Sequence, residues 1–381
     1  MEVTNQMKTK ETLRKQTLIL LTALLLTPLV VPAQEQPVAN RLSAWVPTTH
    51  PDWVPLPEVG GGKVTFRLKA PRASDVRVSG DFPGGKSLPL IKDEKGVWTV
   101  TASAEPGLYT YRLILDGVPV LDPGNPRLQL SPTGHLNAFE MQGPQPTFFD
   151  VQKVPHGVLS TLTYESKVTG DPRQVVVYTP PGYGTDASVQ FPVLYLLHGY
   201  GDDEGAWSQF GFAHRIADNL LANGKMKPMI IVMPNGHATK RGDDASKAEL
   251  LEEIIPLVEQ NYRVKAGAKN RAIAGLSMGG ARSLMIGLNN LDKFSWVAVF
   301  SASLPTNRFS AFMADPKAAN EKLSLFWIGS GRQDGGFADV EKMVEAFNSA
   351  GIHPVWHPTE GAHCWPVWRD DLHEVLPLIF R

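Results

Sequence analysis

No stretch of this chain is more restrictive than Gly275-Leu276-Ser277-Met278-Gly279. An apolar run at residues 271–274 precedes it, and a helical pattern from about residue 280 follows. A G-x-S-x-G sequence set between a strand and a helix folds as a strained turn that exposes the serine hydroxyl above a sheet. Glycines on both sides let strand and helix approach closely. The five residues alone recur by chance, and a serine in an ordinary glycine-rich turn needs no such flanks. Here the flanks are present, and they single out Ser277 as a nucleophile.

The surrounding pattern supplies the sheet. Residues 193–197, 229–233, 296–300 and 323–328 are further apolar runs that read as buried strands. Helical patterns at residues 212–223, 248–260, 281–289 and 340–350 alternate with them. This alternation predicts an α/β domain over residues 148–381, with a mostly parallel sheet covered by helices on both faces. Chemistry in such sheets sits at the carboxyl ends of the strands. Residues 63–142 read differently. Short alternating runs at 64–68, 76–78, 97–101 and 109–115, split by turns such as Asp116-Gly117, predict a small antiparallel β-sandwich. Proline-rich stretches at 34–62 and 143–146 read as a linker and a domain boundary.

The amino terminus predicts export. Lys8, Lys10, Arg14 and Lys15 precede an apolar stretch at 18–26, and Val31-Pro32-Ala33 offers a cleavage site after Ala33. The apolar run is shorter than the ~20 residues a membrane span needs, and Pro28 interrupts it. A secreted or periplasmic protein is expected. The formal net charge is −1, so no basic surplus points to a nucleic-acid or membrane partner. Cys364 is the single cysteine, which rules out an intramolecular disulfide, and no Cys/His cluster has zinc spacing.

A serine hydroxyl needs a base to take its proton. In a sheet carrying a G-x-S-x-G elbow, the acid and then the histidine follow the serine along the chain. The candidates for the base are His353, His357, His363 and His373. Only His363, in Gly361-Ala362-His363-Cys364-Trp365, falls on a loop beyond the last strand pattern. The acid is expected after the preceding strand, where Gly329-Ser330-Gly331-Arg332-Gln333-Asp334 presents Asp334. Asp339 suits a helix cap instead, and Glu360 stands too close to the histidine in sequence. Two backbone donors complete the site: the N–H of Met278, and that of Tyr200 in His198-Gly199-Tyr200-Gly201. His198 reads as a structural hydrogen-bonding residue. Trp207, Phe210, Trp365 and Trp368 either line a pocket for an aromatic acid or pack in the core. His237 lies on a loop that can face substrate.

With these residues assigned, residues 148–381 resemble the carbohydrate esterase family 1 and esterase-D-like group, which includes feruloyl and acetylxylan esterases. The matching stretches are residues 195–203 (Tyr195-Leu196-Leu197-His198-Gly199 onward), Val232-Met233-Pro234-Asn235-Gly236, residues 274–280 and Trp365-Pro366-Val367-Trp368. The resemblance implies an α/β-hydrolase fold, a Ser277, Asp334 and His363 triad, Tyr200 and Met278 as oxyanion donors, and no cofactor. This chain has Gly361-Ala362 where the family often has two glycines. Residues 63–142 resemble carbohydrate-binding module family 48, an early-set immunoglobulin-like fold. Val64-Thr65-Phe66-Arg67, Gly80-Asp81-Phe82, Gly96-Val97-Trp98 and Leu121-Asp122-Pro123-Gly124-Asn125-Pro126 carry that likeness. Trp98 reads as core, so a packing role for this domain is favoured over sugar binding.

The resemblance implies a secreted serine esterase that removes feruloyl or acetyl groups from an acylated polysaccharide such as xylan. Two competing readings stand beside it. One is a siderophore esterase or an acyltransferase on the same scaffold. The other is an inactive carbohydrate-binding protein, against which the complete Ser277, Asp334 and His363 set argues.

Overall fold

The computed structural model of the chain describes residues 57–129, 134–143, 147–237 and 243–381. The expected export segment, and the expected linker up to residue 56, lie outside the described residues. Side chains along Lys63–Lys69 alternate between buried and exposed, the mark of a strand with one face on a core. It is one of ten short strands: β1 (Glu58–Gly60), β2 (Lys63–Lys69), β3 (Val76–Gly80), β4 (Leu88–Pro89), β5 (Ile91–Lys92), β6 (Val97–Ser103), β7 (Gly107–Leu115), β8 (Val118–Val120), β9 (Leu128–Gln129) and β10 (Leu136–Met141). They form two antiparallel sheets, β1-β2-β6-β5 and β4-β3-β7-β10-β9, with β8 paired to β7. The expected linker thus ends in a strand: β1 pairs with β2 and belongs to the sandwich.

Phe66, Phe82, Tyr111 and Phe139 meet at the centre of this sandwich, with the Phe66 and Tyr111 rings 4.8 Å apart. Trp98 is core, as expected, and its indole N–H donates to the Ala70 carbonyl at 2.9 Å. The Asp122-to-Pro126 motif is structural too. Tyr111 donates to Asp122 at 2.6 Å, Asn125 donates to the Ala138 carbonyl, and Asn137 accepts the Asp122 backbone N–H, all in buried positions. The buried side chains of Asp122 and Asn125 thus each have a partner, which is the condition for burying them.

The third sheet is built around strands buried on both faces. All five residues of β13 (Val193–Leu197), β14 (Ile230–Pro234) and β16 (Trp296–Phe300) are buried, as are all six of β15 (Arg271–Leu276). With β11 (Val158–Glu165), β12 (Pro172–Thr179), β17 (Leu325–Gly331) and β18 (Val355–Thr359) the order is β11-β12-β14-β13-β15-β16-β17-β18. The six strands from β13 onward run parallel, and β11 and β12 add an antiparallel edge. Apolar clusters cover both faces. One gathers Trp207, Trp327, Trp365 and Trp368, the other Val258, Phe309 and Phe347.

Arg369, buried in the helix Trp365–Val375, joins the two domains. Its guanidinium pairs with Glu140 of β10, donates to the Phe210 carbonyl at 2.6 Å and lies over Phe149 and Phe212. Arg127 reaches the same Glu140 at 3.2 Å. Ala138 of the sandwich is part of the hydrolase core cluster. The packing role expected for this domain is therefore present in the structure. Truncating one member of a buried ion pair leaves its partner charged and desolvated, which typically costs ~3–5 kcal/mol. Arg369→Ala is expected to lower unfolding stability by about that amount, read as a reduced urea midpoint; a midpoint within error of the parent would contradict it.

Candidate active site

Ser277 follows the last residue of β15 and sits at φ +50°, ψ −117°, a region non-glycine residues rarely occupy. Its N–H donates to the Phe300 carbonyl at 2.8 Å, and the helix Met278–Leu288 starts at the next residue. Close approach explains the flanking glycines. A Cβ on Gly279 would stand 2.5 Å from the His198 carbonyl oxygen, and one on Gly275 would stand 2.6 Å from the Gly279 carbonyl oxygen. The strand–turn–helix expected around the G-x-S-x-G sequence is what the chain forms.

Asp334 and His363 come from the loops after β17 and β18, at the same end of the sheet as Ser277. The Asp334 Oδ2 and the His363 Nδ1 are 2.7 Å apart, while Oδ1 accepts the Gly336 N–H at 2.9 Å. A carboxylate can only accept, so Nδ1 carries the proton and Nε2 is left with its lone pair for use as a base. The two loops are joined along their length: Arg332 N–H donates to Thr359, Gln333 N–H to Gly361, and the Gln333 amide oxygen accepts the Gly361 N–H. Gly331 lets this happen, because a side chain there would strike the Gly361 carbonyl. Gly361 itself has φ +114° and must be glycine, whereas the alanine at 362 has no positive φ to accommodate. That accounts for the departure at Ala362. The edge of Trp368 meets His363 at a ring separation of 5.0 Å.

The rival candidates lie elsewhere. His357 is on β18 and stacks on Trp327, His373 pairs with Glu374, and His353 is held near Asn348. Asp339 is in the first turn of the helix Phe337–Ser349 beside Lys342, and Glu360 pairs with Arg332.

Beyond β13 the chain turns sharply. Asp202 N–H donates to Gly199 O at 3.4 Å, and Gly201 has φ +87°, as the third residue of a type II turn requires. This turn lies against the nucleophile: a Cβ on Gly199 would be 3.6 Å from the Ser277 Cβ. Met278 is the first residue of its helix, so its N–H has no intrahelical acceptor and is free to point at a ligand. His198, fully buried, fixes the turn to the loop after β14. Nδ1 donates to the Gly199 carbonyl at 2.8 Å, and Nε2 accepts the Gly236 N–H at 2.8 Å. Only a neutral ring can do both. Burial lowers His198 to about 3 from an ordinary 6.5, so it stays neutral.

His237 is half-buried against the same turn, where Nε2 accepts the Gly201 N–H at 3.3 Å. Arg173 holds the loop from behind through the Asn235 and His237 carbonyls, and is itself paired with buried Glu249. The aromatic candidates need correction. Trp207 is 1% and Trp365 3% exposed, packed edge to face at 5.3 Å, with the Trp207 N–H donating to the Leu197 carbonyl. With Phe210 and Trp368 they are core beneath the site and offer no surface to a substrate. The exposed aromatic ring at this rim is Tyr200, at 65%.

An eight-stranded sheet with a serine elbow and an acid–histidine pair at its carboxyl edge defines an α/β-hydrolase. The model of the putative esterase family matches residues 166–379, and the chain belongs to that family. The carbohydrate-binding module 48 (isoamylase N-terminal domain) model matches residues 53–133. An endo-1,4-β-xylanase/feruloyl esterase of Xylanibacter ruminicola is 33% identical over 84% of this chain and 45% of its own length. The chain thus spans less than half of that relative. A CE1 ferulic acid esterase of Anaeromyces mucronatus, solved with ferulic acid, is 25% identical with a TM-score of 0.54, covering 61% of this chain and 94% of that one. The enterobactin esterase of Shigella flexneri shares the fold over 83% of this chain and 92% of its own, at 19% identity and a TM-score of 0.60.

The His198 geometry predicts a pH effect on stability. The folded ring refuses a proton that the unfolded ring accepts near pH 6.5, so its contribution is intact above that pH and is lost as pH falls toward about 3. His198→Gln, which cannot titrate, is expected to lose less stability than the parent between pH 6.5 and 4.5 in denaturant titrations. Parallel curves for the two proteins would contradict the assignment.

Proposed function

We propose that this protein is an exported serine esterase that cleaves feruloyl or acetyl esters from xylan-type polysaccharide through an acyl-enzyme on Ser277. The observation that carries the reading is the 2.7 Å Asp334–His363 hydrogen bond at the sheet end where the Ser277 turn emerges. His363 Nε2 takes the hydroxyl proton as Ser277 Oγ attacks the ester carbonyl, and Asp334 stabilises the imidazolium that forms. The tetrahedral oxyanion is held by the Met278 and Tyr200 N–H groups. Loss of one such donor typically slows reactions of this type ~10²–10³-fold. Collapse returns the proton to the leaving alcohol, and water then repeats the sequence to release the acid.

The acyl preference is supported by the 33% identical xylanase/feruloyl esterase and by the ferulic acid esterase structure, and export by the charged and apolar stretches before Ala33. Ser277→Ala is expected to lower kcat on an aryl acetate by more than ~10³-fold while leaving the circular dichroism spectrum unchanged. Parent-like turnover in the purified variant would remove the assignment. A panel of methyl ferulate, acetylated xylan and a catechol siderophore lactone tests the substrate. The highest kcat/KM is expected on methyl ferulate or acetylated xylan, and a lactone preference would overturn that choice.

A further inference from the structure

Beside the nucleophile lies a buried acid that the ester-cleaving scheme does not use. Asp202 closes the turn after β13, and its carboxyl folds back over Gly199. Oδ2 is 3.4 Å from the point a Cβ would occupy on Gly199, and the Ser277 Cβ is 3.6 Å from that same point. The carboxyl and the nucleophile therefore flank a single residue, and the Tyr200 N–H follows directly. Asp202 is 8% exposed. Among the described residues no cation pairs with it.

We infer that the Asp202 carboxyl must be uncharged for this site to cleave esters, and that its ionisation sets the alkaline limit of activity. The inference rests on the Ser277 reading above. A tetrahedral intermediate gathers negative charge at the Met278 and Tyr200 donors. A carboxylate standing one residue from both would oppose that charge, whereas a neutral carboxyl would not.

The environment is built to keep the group neutral. Burial raises Asp202 to about 7, and the like charge of Asp203 adds to the rise, with the Gly199 backbone pulling the other way. The groups facing it offer little compensation. His198 and His237, from the β13 end and the loop after β14, are both held below their ordinary values by burial first and by neighbouring positive charge after it. Arg173 and Arg282 are engaged by the carbonyls of that loop, and Glu204 is bonded to Asn235. Ser277 stands on the other side of Gly199 from Asp202.

The test is the pH dependence of kcat/KM, which reports ionisations of the free enzyme. On an aryl acetate, the full chain is expected to lose activity roughly tenfold toward alkaline pH, with a midpoint near 7. Asp202→Asn removes the descending limb, and Asp202→Glu keeps one. The same limb in Asp202→Asn, or a parent plateau up to pH 9, overturns the inference. Denaturant titrations give a second readout that needs no turnover. The folded value lies above the unfolded one, so the parent should lose stability relative to Asp202→Asn as pH rises from about 4 to 7. A gap that does not change with pH overturns it equally. A parent inert toward every ester would instead sink the esterase reading, and this inference with it.

Discussion

The structure depends on how closely three backbones meet at Ser277. β15 ends there, a helix begins there, and the turn after β13 presses against both. Gly199, Gly275 and Gly279 stand at those contacts, and a Cβ on any of them would meet neighbouring atoms at 2.6 Å or less. Such crowding holds Ser277 at a positive φ that costs on the order of 1–3 kcal/mol. The strain persists because the surrounding sheet leaves no alternative: the Ser277 N–H is tied to β16, and β13, β15 and β16 lie side by side in parallel register. Ser277 is thereby placed at the carboxyl end of the sheet, where the loops carrying Asp334 and His363 also emerge, and the two candidate donors lie on the turn after β13 and at the first residue of the helix.

The helix Trp365–Val375 relates the site to the rest of the molecule. Trp368 touches His363, Arg369 binds the sandwich through Glu140, and the Asp371 carboxyl lies against β17 beside Gly329. Asp371 is fully buried, and burial pushes its carboxyl well above the ordinary range. One helix thus backs the histidine and anchors the amino-terminal domain. The sandwich is in that sense part of the scaffold under the site, and its Asp122-to-Pro126 turn holds it together internally.

Much of this was legible in the linear chain, for identifiable reasons. Ser277, Asp334 and His363 were singled out because the fold dictates their order and because Gly275 and Gly279 mark the tight turn around the serine. The parallel strands announced themselves as short apolar runs, since both of their faces are buried. β11 and β12 were not foreseen: β11 is an edge strand whose side chains are half exposed, and β12 begins with Pro172. Trp207 and Trp365 were open to two readings because an indole suits a core and a binding surface equally well. Only their packing against each other and the rest of the apolar cluster assigned them to the core. Asp202 carried no mark apart from its neighbour Asp203, and its importance comes from a side chain folding back over a glycine.

The order and identity of the candidate groups were therefore properties of the sequence, because glycine spacing and strand–helix alternation are local features that survive unfolding. The states of those groups were decided by tertiary structure. Whether His198 is neutral, Asp202 protonated or Trp365 accessible depends on how much water other segments exclude from them, and desolvation is set by residues far away in the chain.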